Sequence, residues 1–265
     1  MMQALLRWSG GLRAVIAAGG WAIMLFLYLP IVMLVLYSFS EPRSFLFPIE
    51  SWSLRWYEML WSDSELLHSI RNSLIVAAGV VPLTLLLGIP AAFVVARLDL
   101  PGVRLFERAV LLPLMIPGLV TGLALLLILR GWDFQLSLVT VIIGHSVAWL
   151  PVVVTQVSAK LRRLDRSFEE ASLDLGATRF ETFRWIVLPN IASAIFGSAL
   201  LVFTLSFDEV AITFLLTGSK NTLPMQIWSM LRQGVTPEIC AIATITVALS
   251  TLLVVTGLRL AGPRS

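Results

Sequence analysis

Residues 169–189 read EEASLDLGATRFETFRWIVLP, a charge-rich segment set between some of the most apolar stretches of the chain. Its local signals define its shape. Ser167-Phe168-Glu169-Glu170 has the S-x-x-E form of a capping box, in which the serine hydroxyl accepts from the third helical N–H and the glutamate reaches back to the cap. A helix is therefore expected from Ser167 through Leu175, with Gly176 supplying the left-handed turn that ends it. Thr178-Arg179-Phe180-Glu181 is a second capping box, so a second helix starts at once; Phe183, Ile186 and Val187 form its apolar stripe and Pro189 ends it. The product is a helical hairpin over 167–189, with Phe168, Leu175 and Phe180 available to bury against something. A solvated loop kept in order by its caps is the alternative, but two adjacent boxes and a turn glycine are more than solubility requires, and a docking surface is the better account.

The rest of the chain explains where such a surface would be. Of 265 residues, 58% are hydrophobic and 13% charged, and the mean hydropathy is +0.90. That is the composition of an integral membrane protein, expected to be all-α from the apolar stretches it contains. One cysteine, Cys240, with no Cys/His spacing pattern, excludes a disulfide framework and gives no basis for a structural metal. The basic residues are dispersed and form no dense patch, so no nucleic-acid partner is expected. Apolar stretches of about 20 residues, long enough to cross the hydrocarbon core as helices, lie near 15–37, 74–95, 109–129, 136–157, 191–216 and 239–258. The first is read as an uncleaved span. Six spans place both termini on one side.

Lysine and arginine choose the side. With the termini inside, the inner segments hold Arg7, Arg13, Arg97, Arg104, Arg108, Lys160, Arg162, Arg163, Arg166, Arg179, Arg184, Arg259 and Arg264. The outer ones hold only Arg43, Arg55, Arg71, Arg130, Lys220 and Arg232. The positive-inside rule therefore makes both termini, and the hairpin, cytoplasmic. Two outer segments are too long to be turns. Ser53–Ile70 carries apolar residues at helical spacing, with Trp52, Trp56 and Trp61 suited to the headgroup layer, and reads as short interfacial helices. In the last outer loop Pro224 opens a helical turn that Gly234 and Pro237 close. Both segments anchor at the interface, meet a soluble partner, or do both.

Glu170-Ala171-Ser172, three residues, Gly176-Ala177, five residues, Phe183, two residues, Ile186, then Leu188-Pro189 resembles the EAA loop of ABC importer permeases. These are the inner-membrane components of binding-protein-dependent transport. Ser172 stands where that pattern has Ala, a small residue for a small one. The resemblance implies the type I (MetI-like) permease fold and a coupling role for Glu169, Glu170, Ala171, Ser172, Leu175, Gly176, Ala177 and Phe180 against a cytoplasmic ATPase. It also implies the partners: a second permease subunit, identical or related, two ATPase subunits, and a periplasmic substrate-binding protein, all at a bacterial inner membrane. The chain holds no G-x-x-x-x-G-K-[ST] phosphate loop, since Gly218-Ser219-Lys220 lacks the upstream glycine. It is therefore expected to be non-catalytic and to carry no cofactor, with ATP and Mg on the partner ATPases.

The fifth span contains Asp208 and Glu209, and a charge at a helix centre costs roughly 2.5 to 3.5 kcal/mol on insertion scales. Adjacent residues lie about 100° apart on a helix, so Thr204 and Asp208 should share one face and Ser206, Glu209 and Thr213 another. One acid would meet a solute pathway and the other a helix interface. For Glu209 a cation-attracting group and a packing pair stay open; Asp208 is assigned to the pathway, with Ser206, Glu209 and Thr213 as its other candidate residues. His145 and Ser146 in the fourth span suit an interhelical hydrogen bond better than catalysis. Pro113, Pro117, Gly118, Thr121 and Gly122 predict close packing and a kink in the third.

SFDEVAITFLLTG followed by TLPMQIWSMLRQGVTPEICAIATI resembles the second permease of spermidine/putrescine-type systems. A polyamine is the substrate this implies; an amino-acid derivative or a phosphonate is the alternative. A proton-coupled carrier or an intramembrane enzyme using Asp208 and Glu209 would also employ the acids. The first lacks an internal repeat, and the second lacks a partner group in another span.

Overall fold

The computed structural model describes residues 10–42, 45 and 48–261; Arg7, Arg43 and Arg264 of the charge count lie outside them. Its helices are α1 (Gly10–Tyr37), α2 (Arg55–Ser62), α3 (Ser64–Arg97), α4 (Val103–Met115), α5 (Gly118–Gly131), α6 (Leu138–Arg163), α7 (Ser167–Asp174), α8 (Arg179–Thr182), a π-helical turn (Phe183–Val187), α9 (Leu188–Phe207), α10 (Ala211–Leu216), α11 (Leu223–Gln233) and α12 (Pro237–Ala261). Among the described residues every regular element is helical, apart from one isolated antiparallel bridge between Ser40 and Trp52. The chain forms two compact units, the described part of residues 1–62 with 230–248, and 63–229 with the described part of 249–265.

Among the described residues four stretches are long and apolar enough to cross a membrane: Ala14–Tyr37, Ser64–Arg97, Leu138–Arg163 and Arg179–Phe207. The third expected span differs. It is two helices, α4 and α5, bent by 107° at their junction, and makes a fifth crossing if they count as one. A kink was expected; a corner is found. Pro117 forces Ile116 out of the helical region to φ −90°, ψ 131°, and α5 then restarts at Gly118. The fifth span also stops short of its expected end, because α9 closes at Phe207 and a separate α10 follows. Within α12 the described apolar run is the shorter Pro237–Leu252.

In the first unit α1 is apolar on every side and exposed along most of its length, as befits a helix meant for lipid. The segment after it is pinned by α2. Trp56 is fully buried, and its Nε1–H donates to the Ser40 carbonyl at 2.6 Å; Ser38 and Tyr57 share a hydroxyl hydrogen bond of 2.7 Å. Thus Trp56 is a core residue and not the interfacial anchor the sequence suggested, while Trp52 and Trp61 are exposed.

In the second unit Asp63 caps α3 by accepting from the N–H groups of Glu65 (2.9 Å) and Leu66 (3.1 Å). This cap is why the latter part of Ser53–Ile70 belongs to a 34-residue helix and not to a short interfacial one. The core lies where α3, α6 and α9 meet, with Val76, Val80, Val153, Val157, Leu161, Ile191 and Val202 buried. Glycines set the spacing. A Cβ on Gly88 would stand 2.8 Å from both Cβ and Cγ1 of Val153, and one on Gly79 would stand 2.7 Å from Ile142 Cδ1. Ile142 can turn its flexible end away, but the branched Val153 cannot. Gly88→Ala should therefore destabilise the protein by about 1–3 kcal/mol through overpacking, seen as a lower midpoint in thermal unfolding in detergent. Gly197→Ala, where nothing lies within 4 Å of the added carbon, should leave the midpoint unchanged or raise it.

Candidate functional site

The hairpin begins differently from its sequence signature. Arg166 is already helical at φ −64°, ψ −24°, and its carbonyl accepts from Glu169 N–H (2.9 Å) and Glu170 N–H (3.0 Å). Ser167 makes no cap, so the S-x-x-E box is not formed. Asp165 takes its place by accepting the Ser167 N–H at 3.0 Å. That N–H, and then the Ser167 hydroxyl, hold the Asp165 carboxyl below its usual range. The second box does form. Thr178 Oγ1 accepts from Glu181 N–H at 3.2 Å and Glu181 Oε2 accepts from Thr178 N–H at 2.7 Å, which lowers the Glu181 pKa.

Between the two helices Gly176 takes φ +90°, and the Ala177 N–H returns to the Ser172 carbonyl at 3.1 Å. Ser172 does more than fill an alanine position: its Oγ lies 3.0 Å from Thr182 Oγ1 and ties the two short helices together. Pro189 does not end the second helix. The helix widens to a π turn over Phe183–Val187, where the Leu188 N–H reaches back to the Phe183 carbonyl, and Pro189 follows in the first turn of α9, where a missing N–H is tolerated. The chain therefore runs as one helical body from Arg179 to Phe207. The tip of the hairpin is apolar and bare, with Leu175 89%, Phe180 74% and Phe168 59% exposed. Glu170, Ala171 and Gly176 are exposed beside them.

Sequence reasoning did not foresee how the hairpin's root is held. Arg97, the last residue of α3, donates from Nη2 to Glu169 Oε1 at 2.6 Å and to the Leu164 carbonyl at 3.2 Å. In return Arg166 donates to the Arg97 carbonyl at 3.2 Å. Arg162 pairs with Glu107 of α4 at 2.9 Å. The available signal is the clustering of arginines in the inner segments, which bears on topology and equally on ion pairing.

The second region is the break between α9 and α10. Because the helix ends at Phe207, the expected division of Asp208 and Glu209 between two helical faces does not apply. Asp208 closes α9 through its N–H to Thr204 O (3.2 Å), and its side chain is exposed. Glu209 is half-buried, and its Oε1 accepts the Ile212 N–H at 3.1 Å, satisfying the first turn of α10. Ser206 and Thr213, on either side of the break, are buried and converge on His145 of α6: Nδ1 lies 2.9 Å from Ser206 Oγ and Nε2 lies 2.9 Å from Thr213 Oγ1. Thr213 commits its proton to the Glu209 carbonyl at 2.9 Å. It must therefore accept from His145 Nε2–H, which leaves Nδ1 to accept from Ser206. His145 is the interhelical hydrogen-bonding residue the sequence suggested, here bridging a break.

The break of α4/α5 lies against this one. A Cβ on Gly118 would be 3.5 Å from Glu209 Oε1, and one on Gly122 would be 3.2 Å from the Ile212 Cα. The small residues of the third span are thus there for the approach of α10. Among the described residues no group of three potential metal ligands exists.

Compared with known proteins, residues 65–264 match the profile of a family described as binding-protein-dependent transport system inner membrane component. The putrescine transport system permease protein PotI of Escherichia coli strain K12 is 39% identical over 228 residues, spanning 83% of this chain and 81% of that protein. The spermidine/putrescine transport system permease protein PotC of the same strain is 33% identical over 235 residues, spanning 88% and 89%. Among solved structures, a bacterial ABC transporter involved in import of the acidic polysaccharide alginate aligns with a TM-score of 0.75 at 16% identity, over 95% of this chain and 98% of that one. The inward-facing MetNI methionine ABC transporter aligns at 0.66 with 17% identity, over 77% and 96%. At these identities the solved structures speak for the fold alone.

The His145 bridge yields a stability prediction. His145→Leu should lower thermal stability in detergent, since it orphans the buried Ser206 hydroxyl, at a cost of about 1–3 kcal/mol, while Thr213 keeps its bond to the Glu209 carbonyl. Adding Ser206→Ala, which removes that orphan, should recover part of the loss.

Proposed function

The chain belongs to the family of binding-protein-dependent transport system inner membrane components and is a permease subunit of an ABC importer, and from that premise we propose that the solute it passes is a polyamine. The observation that carries the proposal is the exposed carboxylate of Asp208 at a helix break. It makes no hydrogen bond among the described residues, whereas Glu209 and Thr213 beside it are hydrogen-bonded. A carboxylate at the mouth of a broken helix in a low-dielectric surround raises the local concentration of a cation. Ser206, Glu209 and Thr213 complete the proposed pathway site by holding the break open beside it. The putrescine and spermidine/putrescine permeases among the relatives support the same solute class.

The permease works as one of a pair, identical or related, with six spans and both termini cytoplasmic. The spans are α1, α3, α4 with α5, α6, α9 with α10, and α12. The excess of arginine in the inner segments supports this orientation. A periplasmic binding protein delivers solute to the outer loops, and two ATPase subunits dock on the hairpins 167–189 of the pair, where Leu175, Phe180 and the exposed Glu170, Ala171 and Gly176 supply the contact. ATP hydrolysis belongs to those partners. An aligned solved structure is a bacterial alginate ABC transporter in complex with its periplasmic protein, which supports the kind of partner.

Two measurements test this reading. Glu170→Ala and Gly176→Val should abolish co-purification of the ATPase and ATP-driven uptake in proteoliposomes; undiminished docking in both would remove the coupling assignment. Asp208→Asn should lower putrescine uptake by about ten-fold, equivalent to ~1.4 kcal/mol, while leaving ATPase docking intact. Normal uptake in that variant would make Asp208 a helix-end residue and nothing more.

A further inference from the structure

Helix α3 is fastened by polar bonds at its inner end and within its outer third, to two segments that are far apart in sequence. At its inner end Arg97 holds Glu169 (2.6 Å) and the Leu164 carbonyl (3.2 Å), while Arg166 holds the Arg97 carbonyl (3.2 Å). Within its outer third Asn72 Nδ2 donates to the Asn221 carbonyl at 2.8 Å, and Ser73 Oγ accepts the Leu223 N–H at 2.9 Å. Between these joints α3 is a continuous helix of about 25 residues, roughly 38 Å at ~1.5 Å per residue, with Pro82 and Pro90 inside it. Its glycines are seated on Ile142 and Val153 of α6. These two contacts lie on either side of Pro82, so the stretch that the prolines weaken is braced against α6.

We propose that α3 is a strut that carries the displacement of the hairpin to the outer α10–α11 loop, with Arg97 as the positioning residue of its inner joint. The proposal rests on the reading of α7 and α8 as the ATPase-coupling hairpin. The inner joint has the chemistry for transmission. The ion-paired side chains are only 13% and 24% exposed, so the pair is shielded from the screening that weakens surface ion pairs, and separating it would strand a charge with little water. Arg97 Nε has no acceptor, so the guanidinium depends on Glu169 and Leu164 for its bonds. Glu169 lies in the first turn of α7, and a shift of α7 therefore pulls on α3 directly. The outer joint is where that pull would be felt. Asn72, Asn221, Lys220 and Glu65 line a groove of about 520 Å3 there, and Gln226 of α11 reaches the Glu65 carboxylate at 3.5 Å. A sliding or tilting α3 changes the shape of that groove, through which the outer face would report the state of the ATPases.

The test uses the complete complex in proteoliposomes. Ser219→Cys, on the exposed loop beside the groove, is placed in a chain whose buried Cys240 is replaced by Ser. It is labelled with a membrane-impermeant maleimide, with and without a non-hydrolysable ATP analogue. With Arg97 present, the analogue should change the labelling rate. Arg97→Gln should abolish that change and lower the solute imported per ATP hydrolysed by about five-fold or more, the scale of coupling between sites, with the ATPase still bound. Arg97→Lys, which keeps the charge but not the fork, should be intermediate, and Arg97→Glu with Glu169→Arg should recover part of the coupling. An unchanged labelling response in Arg97→Gln, with the ATPase docked, overturns the strut. If Arg97→Gln does not assemble, the same two readings on Asn72→Ala, at the outer joint, decide: retained coupling overturns the proposal. Loss of the ATPase from the unaltered chain would instead count against the hairpin's coupling role.

Discussion

A helix that breaks inside an apolar medium must find new partners for the backbone groups it frees, and this constraint organises the second unit. Two breaks occur there, at Ile116–Pro117 and at Asp208–Glu209, and they pack against each other. Glu209 accepts the Ile212 N–H, Thr213 bonds the Glu209 carbonyl, and Gly118 and Gly122 let α5 come close enough to cover the result. His145 then spans the break from α6. Irregular backbone at membrane depth is tolerated only where protein or a water-lined cavity meets it. The polar residues of the fifth span are the means by which that condition is met.

What could be read in the sequence follows from the range of the physics involved. The Thr178–Glu181 box, the turn at Gly176 and the length of the apolar stretches are local, and a few residues decide them. Asp165 was as local as Ser167 but less conspicuous, and it won the helix start because Arg166 could already adopt helical angles. The corner at Pro117 was legible as a disturbance but not as a 107° turn, because its angle is set by what α5 packs against. The break at Asp208 was concealed by composition: an apolar run from Ile191 to Leu216 looks continuous, and nothing in hydropathy distinguishes a helix from two half-helices. Arg97, Glu169 and Ser172 act across 72 and 10 residues of sequence, distances over which no spacing rule operates.

One continuity bears on how the hairpin could move the rest. Arg179 to Phe207 is a single helical body that starts in the hairpin and ends at Asp208, with a π turn near its inner end. A π turn has one extra residue and a strained bond pattern, and such places commonly absorb displacement. The hairpin thus has two routes into the membrane domain: one through α9 to the break, the other through Arg97 into α3. The first reaches the proposed pathway and the second the outer loop.

The acids and hydroxyls near the break separate by one criterion, whether their bonding capacity is already spent. Thr213 gives its proton to a carbonyl and accepts from His145; Ser206 gives its proton to the imidazole; His145 uses both ring nitrogens; Glu209 uses one oxygen on the α10 N-terminus. Each such bond lowers what the group could gain from a passing solute, because binding would have to replace an existing partner. Asp208 has spent only its backbone N–H. In a membrane domain an exposed carboxylate with both oxygens uncommitted is expensive to keep unless a cation meets it. The neighbours of Asp208 keep the break in place and leave its carboxylate as the group with interactions still to make.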